Sequence, residues 1–118
     1  MAYIFDIDWT LTQWDTFPPT WKESPNKTMI QTLDRIKAQW GKIYILTWRP
    51  NKYRTITEKW LRDNDIRYDK LIMNNTDKRS NDFKKEAVQK MYGINRWYDN
   101  NSGVQKIAEE LNINFVKV

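Results

Sequence analysis

The feature that most restricts this chain is a regular alternation of short apolar runs with amphipathic stretches. Five runs read as strands: residues 2–7, 42–46, 70–73, 96–99 and 113–118. Between them, Met29, Leu33, Ile36 and Trp40 recur at helical spacing, and Gly41 is placed to end that helix. Tyr53, Ile56, Trp60 and Leu61 form a second stripe, stopped near Asn64. Phe83, Ala87, Val88 and Met91 form a third, closed by Gly93, and Val104, Ile107, Ala108 and Leu111 a fourth, ended at Asn112. Residues 8–25 contain Pro18, Pro19 and Pro25 and cannot form a long helix. This alternation predicts an α/β fold: one doubly wound, parallel, five-stranded sheet with helices on both faces. The 118 residues suffice for one domain over 1–118, with 8–25 as a short flap and no large cap domain.

In sheets of this kind ligands sit beyond the carboxyl ends of the strands. The polar residues there are the ones to read. The first strand ends in Asp6 and Asp8, with Thr10 behind them. Side chains two apart in an extended backbone leave it on the same side. Two carboxylates at the end of a buried strand are costly unless a cation or a reaction uses them. Thr47 and Arg49 follow the second strand, Lys84 and Lys85 open the third helix, and Asp99, Asn100, Asn101 and Ser102 follow the fourth strand. Carboxylates can hold magnesium, while a hydroxyl, a lysine and backbone N–H groups can hold phosphate. Plain structural readings exist for each: an acidic turn at Asp6 and Asp8, a capping Thr47, a surface Arg49, a solvated lysine pair.

The absences sharpen this. The sequence has no histidine and no cysteine, which excludes Ser-His-Asp hydrolysis, cysteine-nucleophile phosphatases and histidine-ligated zinc. Gly41, Gly93 and Gly103 are the only glycines, so neither a phosphate-binding P-loop nor a dinucleotide fingerprint can be written. The lack of cysteine fits a cytoplasmic protein, and no apolar run approaches the ~20 residues of a membrane span. A formal net charge of +5 suits an anionic partner such as nucleic acid or a phosphate ester.

Asp6-x-Asp8-x-Thr10, then Thr47-x-Arg49, then a lysine in the eighties, then Asp99 resembles the four-motif order of the haloacid dehalogenase (HAD-like) superfamily, over nearly the whole chain. Residues 68–73, then Asp77-Lys78-Arg79 and Asp82-Phe83-Lys84-Lys85-Glu86, resemble more narrowly the 3′-phosphatase domain of bacteriophage polynucleotide kinase-phosphatases. The resemblance implies a HAD-like Rossmannoid fold. It also implies a magnesium-dependent phosphomonoesterase that works through an aspartyl-phosphate and removes 3′-phosphate from DNA or RNA ends. Asp6 is then the nucleophile and Asp8 the acid and base. Thr47 and Lys85 (rather than Lys84) bind phosphate, with Arg49 as a clamp or loop-orienting residue. Mg2+ is held by Asp6, the backbone carbonyl of Asp8, Asp99 and the position of Asn100. A nucleotidase or small-metabolite phosphatase, and a non-catalytic binding module of the same fold, remain alternatives.

The chain departs from that pattern in two respects. Asn100 stands where a second metal-binding acid is frequent, and an amide brings no charge. Trp9 and Trp48 stand where glycine is usual, and Trp14 is a further candidate. They are either aromatics lining a loop or glycine positions whose codon, UGA, is ambiguous. Trp14, Phe17 and Trp21 could stack on a terminal base or pack the flap onto the body.

Overall fold

A computed structural model describes residues 1–14 and 18–118. Five parallel strands, β1 (Ala2–Phe5), β2 (Lys42–Pro50), β3 (Lys70–Asn74), β4 (Ile94–Asp99) and β5 (Asn114–Lys117), form one sheet in the order β3-β2-β1-β4-β5. Four helices connect them: α1 (Lys27–Ala38), α2 (Arg54–Asp63), α3 (Ser80–Gln89) and α4 (Ser102–Glu110). This is the expected doubly wound α/β architecture, and no cap domain is inserted among the described residues.

The alternation of β1 explains the two cores. Phe5 faces a cluster that contains Leu33 of α1, Trp60 and Leu61 of α2, and Ile43, Ile45 and Leu71 of the neighbouring strands. Ile4 faces the opposite cluster, with Phe83 and Val88 of α3, Val104 and Ile107 of α4, and Trp97. Both Ile4 and Phe5 are fully buried, as a strand covered on two faces requires. Phe5 stacks on Tyr98 with ring centroids 4.4 Å apart.

Apart from shifts of one or two residues at the ends of β1, β3, β4 and β5, two elements differ from the sequence expectation. β2 runs on to Pro50 rather than stopping at Leu46, because its pairing with β3 skips from Leu46 to Pro50 through a bulge. Thr47 and Arg49 therefore lie within an extended strand. Helix α1 ends two residues before Trp40, whose side chain is exposed rather than part of the apolar stripe. Among residues 8–25, Thr12 and Pro25 form an antiparallel bridge that brings the two ends of the segment together. Of the flap aromatics, Phe17 lies outside the described residues, and Trp14 and Trp21 are exposed.

Candidate active site

The central strand β1 lies at the point where the strand order reverses, with β2 on one side and β4 on the other. Crevices open at such points, beyond the carboxyl ends. Asp6 leaves the end of β1 with its N–H bonded to Tyr98 O of β4 at 3.0 Å. Asp99 ends β4. Lys84 enters from the second turn of α3, whose first residue is Ser80. Together with Asp8, Trp9, Trp48 and Asn100 these residues line a cavity of about 250 Å³. A larger groove of about 640 Å³ runs between β3 and α3 but contains none of the buried carboxylates, so chemistry and not size marks the site.

Lys84 Nζ lies 2.7 Å from Asp99 Oδ2 and 3.4 Å from Asp6 Oδ2. Asp99 Oδ1 accepts the N–H of Asn101 at 3.0 Å, a contact that also orders the start of α4. Asp6 Oδ1 is buried without a hydrogen-bond partner. Burial pushes the Asp6 carboxyl up to about 8, against the pull of Lys84 and with the help of Asp99 and Asp8. Burial works against the Lys84 ammonium, but Asp6 and Asp99 outweigh it and hold Lys84 above its ordinary range.

Asp8 is held from the other side. Arg49 Nη2 donates to Asp8 Oδ1 at 2.7 Å, and Nε donates to Oδ2 at 3.2 Å, a two-point clamp. The same guanidinium donates to Glu23 Oε2 at 2.7 Å and to Thr57 Oγ1 at 3.2 Å. Arg49 is thus a buried hub that ties the site to the flap and to α2. Desolvation disfavours its charge, yet Asp8 and Glu23 more than offset this and hold it charged. The flap is fixed a second time, by Trp60 Nε1 donating to Glu23 O at 2.7 Å.

The three residues expected to hold phosphate, Lys85, Arg49 and Thr47, all lie outside the cavity lining. Lys85, expected to hold phosphate, points outward and pairs with Glu110 at 3.1 Å; Lys84 is the lysine inside. Helical phase decides this, since Lys84 lies four residues after Ser80 and four before buried Val88. Arg49 is fully buried against Asp8 and Glu23 and outside the cavity lining, a placement that favours the orienting role over the clamp. Thr47 is likewise fully buried, and its Oγ1 accepts the Arg49 N–H at 3.2 Å, which is the capping reading. Glu23 was not foreseen. It is a lone acid in a polar, proline-bounded stretch, and no spacing signal marks it.

The donor set suits a hard divalent cation on two observations. Among the described residues the buried acids Asp6, Asp8, Glu23 and Asp99 outnumber the buried cations Arg49 and Lys84, although the raised Asp6 carboxyl carries a proton near neutral pH and then adds no charge. Asp6 Oδ1 is a buried oxygen with no hydrogen bond of ordinary geometry among the described residues, although the Ile7 N–H acts weakly on its carboxyl. In the arrangement described, Lys84 lies beside Asp6 and Asp99, and Asp8 turns to Arg49. Accordingly no group of three carboxylates converges as a ready ligand set among the described residues.

Fold and site together define a Rossmann-like α/β protein with a carboxylate–lysine cluster at its topological switch point. Among solved structures, this chain is similar to a chain of the Pnkp1/Rnl/Hen1 complex: TM-score 0.89 and 27% identity, over 99% of this chain and 45% of that one. It is similarly close to a chain in a structure of the Pnkp1/Rnl/Hen1 RNA repair complex: TM-score 0.90 and 28% identity, over 99% of this chain and 42% of that one. The chain thus spans less than half the length of these neighbours. A protein from Vibrio cholerae shares the fold at TM-score 0.54 and 18% identity, over 94% of this chain and 99% of that one. No protein-family model and no curated protein matches the sequence significantly.

Proposed function

We propose that this protein is a phosphomonoesterase of the HAD type, with Asp6 as nucleophile, that removes 3′-phosphate from nucleic-acid ends in RNA repair. The observation that carries this reading is the buried Asp6 carboxyl at the end of the central strand, one oxygen unpartnered and the other beside Lys84. The similarity to chains of an RNA repair complex supports the biological setting.

In the first step the deprotonated Asp6 carboxylate attacks phosphorus, the bond from phosphorus to the ester oxygen breaks, and that oxygen takes a proton from Asp8. In the second step a water oxygen attacks the aspartyl-phosphate, its proton passes to Asp8, and the phosphorus–Asp6 bond breaks. Arg49 orients Asp8 through both steps, and Glu23 and Thr57 orient Arg49. Lys84 offsets the charge that accumulates on the phosphoryl oxygens. Asp6, Asp99, the Asn100 amide and the backbone carbonyl of Asp8 would hold Mg2+, which would supply further positive charge for the phosphoryl group when bound.

The test is Asp6→Asn, which keeps size and removes the nucleophile. Purified variant and wild type are compared on an aryl phosphate and on a 3′-phosphorylated oligonucleotide, with circular dichroism as the check on folding. Activity should vanish with the fold intact. Retention of more than about a tenth of wild-type turnover would sink the mechanism.

A further inference from the structure

Three helices end in the same way, and one of them ends on the wrong residue. Past α1, Trp40 N bonds to Lys37 O at 3.1 Å and Gly41 N to Ile36 O at 3.0 Å. Past α2, Asp65 N bonds to Arg62 O at 3.0 Å and Ile66 N to Leu61 O at 3.0 Å. Past α4, Asn112 N bonds to Glu109 O at 3.2 Å and Ile113 N to Ala108 O at 2.8 Å. Each pair is a Schellman closure, whose first residue must adopt left-handed backbone. The φ values are 67° at Trp40, 53° at Asp65 and 57° at Asn112. Asn and Asp tolerate that conformation through their short polar side chains, and glycine adopts it freely. For a bulky aromatic it is an outlier, because Cβ crowds the carbonyl. Among the described residues no side-chain packing repays Trp40, whose side chain is 94% exposed.

Trp9 has the same left-handed backbone in another context. Its φ is 61°, its N–H donates to Thr12 Oγ1 in the turn after β1, and its side chain is about half exposed. Two of the four non-glycine residues with positive φ among the described residues are therefore tryptophans. Trp60 and Trp97, by contrast, have no such backbone and fill the two cores. Composition leans the same way. The sequence has 3 glycines and 7 tryptophans, where ordinary usage of about 7% glycine would give about eight.

We infer that positions 9 and 40 carry glycine in the protein as its own cell makes it, the codon written as tryptophan there being decoded as glycine. The inference is independent of the proposed phosphatase activity. Trp48 lacks the backbone signature and is not included. With glycine at position 9, an indole leaves the mouth of the cavity beside Asp8, and the backbone of the turn comes within reach of a ligand.

The gene supplies the direct test. Codons 9 and 40 should be UGA and codons 60 and 97 UGG; UGG at 9 or 40 overturns the inference. Mass spectrometry of the protein from its native cell should give peptides with glycine at both positions, and tryptophan at either overturns it as well. The backbone premise is tested separately on recombinant protein. Trp40→Gly should raise Tm by a few degrees, on the order of 4 °C, while Trp60→Gly should lower it. A fall in Tm for Trp40→Gly overturns the premise.

Discussion

Lys84 is the residue on which the site's charge balance turns. It is buried and faces two carboxylates, so removing it strands negative charge where water cannot reach. Lys84→Met should cost about 3–5 kcal/mol of stability in urea denaturation, and Lys85→Met less than about 1 kcal/mol, because the Lys85–Glu110 pair is exposed. Equal costs would mean that the helical phase has been misread. Asp6 gives a pH prediction. Its folded pKa of about 8 lies above the ordinary 3.8, so the folded state binds the proton more tightly than the unfolded chain. That stabilisation is fully present at low pH and is lost as pH rises from about 4 to about 8. Measured in chelator, wild-type Tm should therefore fall between about pH 6 and pH 8 relative to Asp6→Asn, which has no proton to lose. Parallel curves would remove the raised pKa. Asp6, Asp8 and Asp99 were legible because each ends an apolar run. Lys84 was legible too, from its phase against Phe83, Ala87 and Val88, but the motif resemblance pointed one residue further on. Glu23 was not legible, because its partner Arg49 is distant in sequence and no local pattern links them.

At the scale of elements, the segment on either side of Glu23 is held to the body by polar contacts to β2 and α2. Arg49 and Trp60 both reach it, and the Thr12–Pro25 bridge closes its base. Glu23→Ala keeps the backbone contact from Trp60 but leaves Arg49 with one carboxylate instead of two. It should cost about 2 kcal/mol and hasten proteolysis within residues 18–26 under native conditions. An unchanged cleavage rate would show that the Trp60 contact and the bridge suffice. The helices were legible as stripes, and their ends as Asn112 and the residues near Asn64. The end of β2 was not, since Thr47-Trp48-Arg49-Pro50 reads as a turn, and only the bulged pairing with β3 keeps it extended. Trp40 failed as a core residue for the same kind of reason. Helical spacing continued past the point where backbone geometry stopped the helix.

For the molecule as a whole, the alternating pattern announced a parallel sheet and the position of its ligand crevice, but not which strands would be neighbours. Strand order follows from which helices cover which face, a packing outcome with no local signature. That order places the carboxylates of β1 and β4 side by side, and around them the chain carries a net charge of +5. If the partner is a nucleic-acid end, the phosphates behind the terminal one should contribute attraction that a mononucleotide cannot. We therefore expect kcat/KM for a 3′-phosphorylated oligonucleotide to exceed that for a nucleoside 3′-monophosphate. We also expect the advantage to shrink as salt rises from about 50 mM to about 200 mM, because each neutralised phosphate releases counterions. A 5′-phosphorylated oligonucleotide of the same length controls for charge alone: it feels the same attraction but presents the wrong ester. If it is cleaved as fast as the 3′-phosphate, the net positive charge selects polymers without selecting the end. If the monophosphate is preferred at every salt concentration, the surface charge plays no part and a nucleotidase is the better reading.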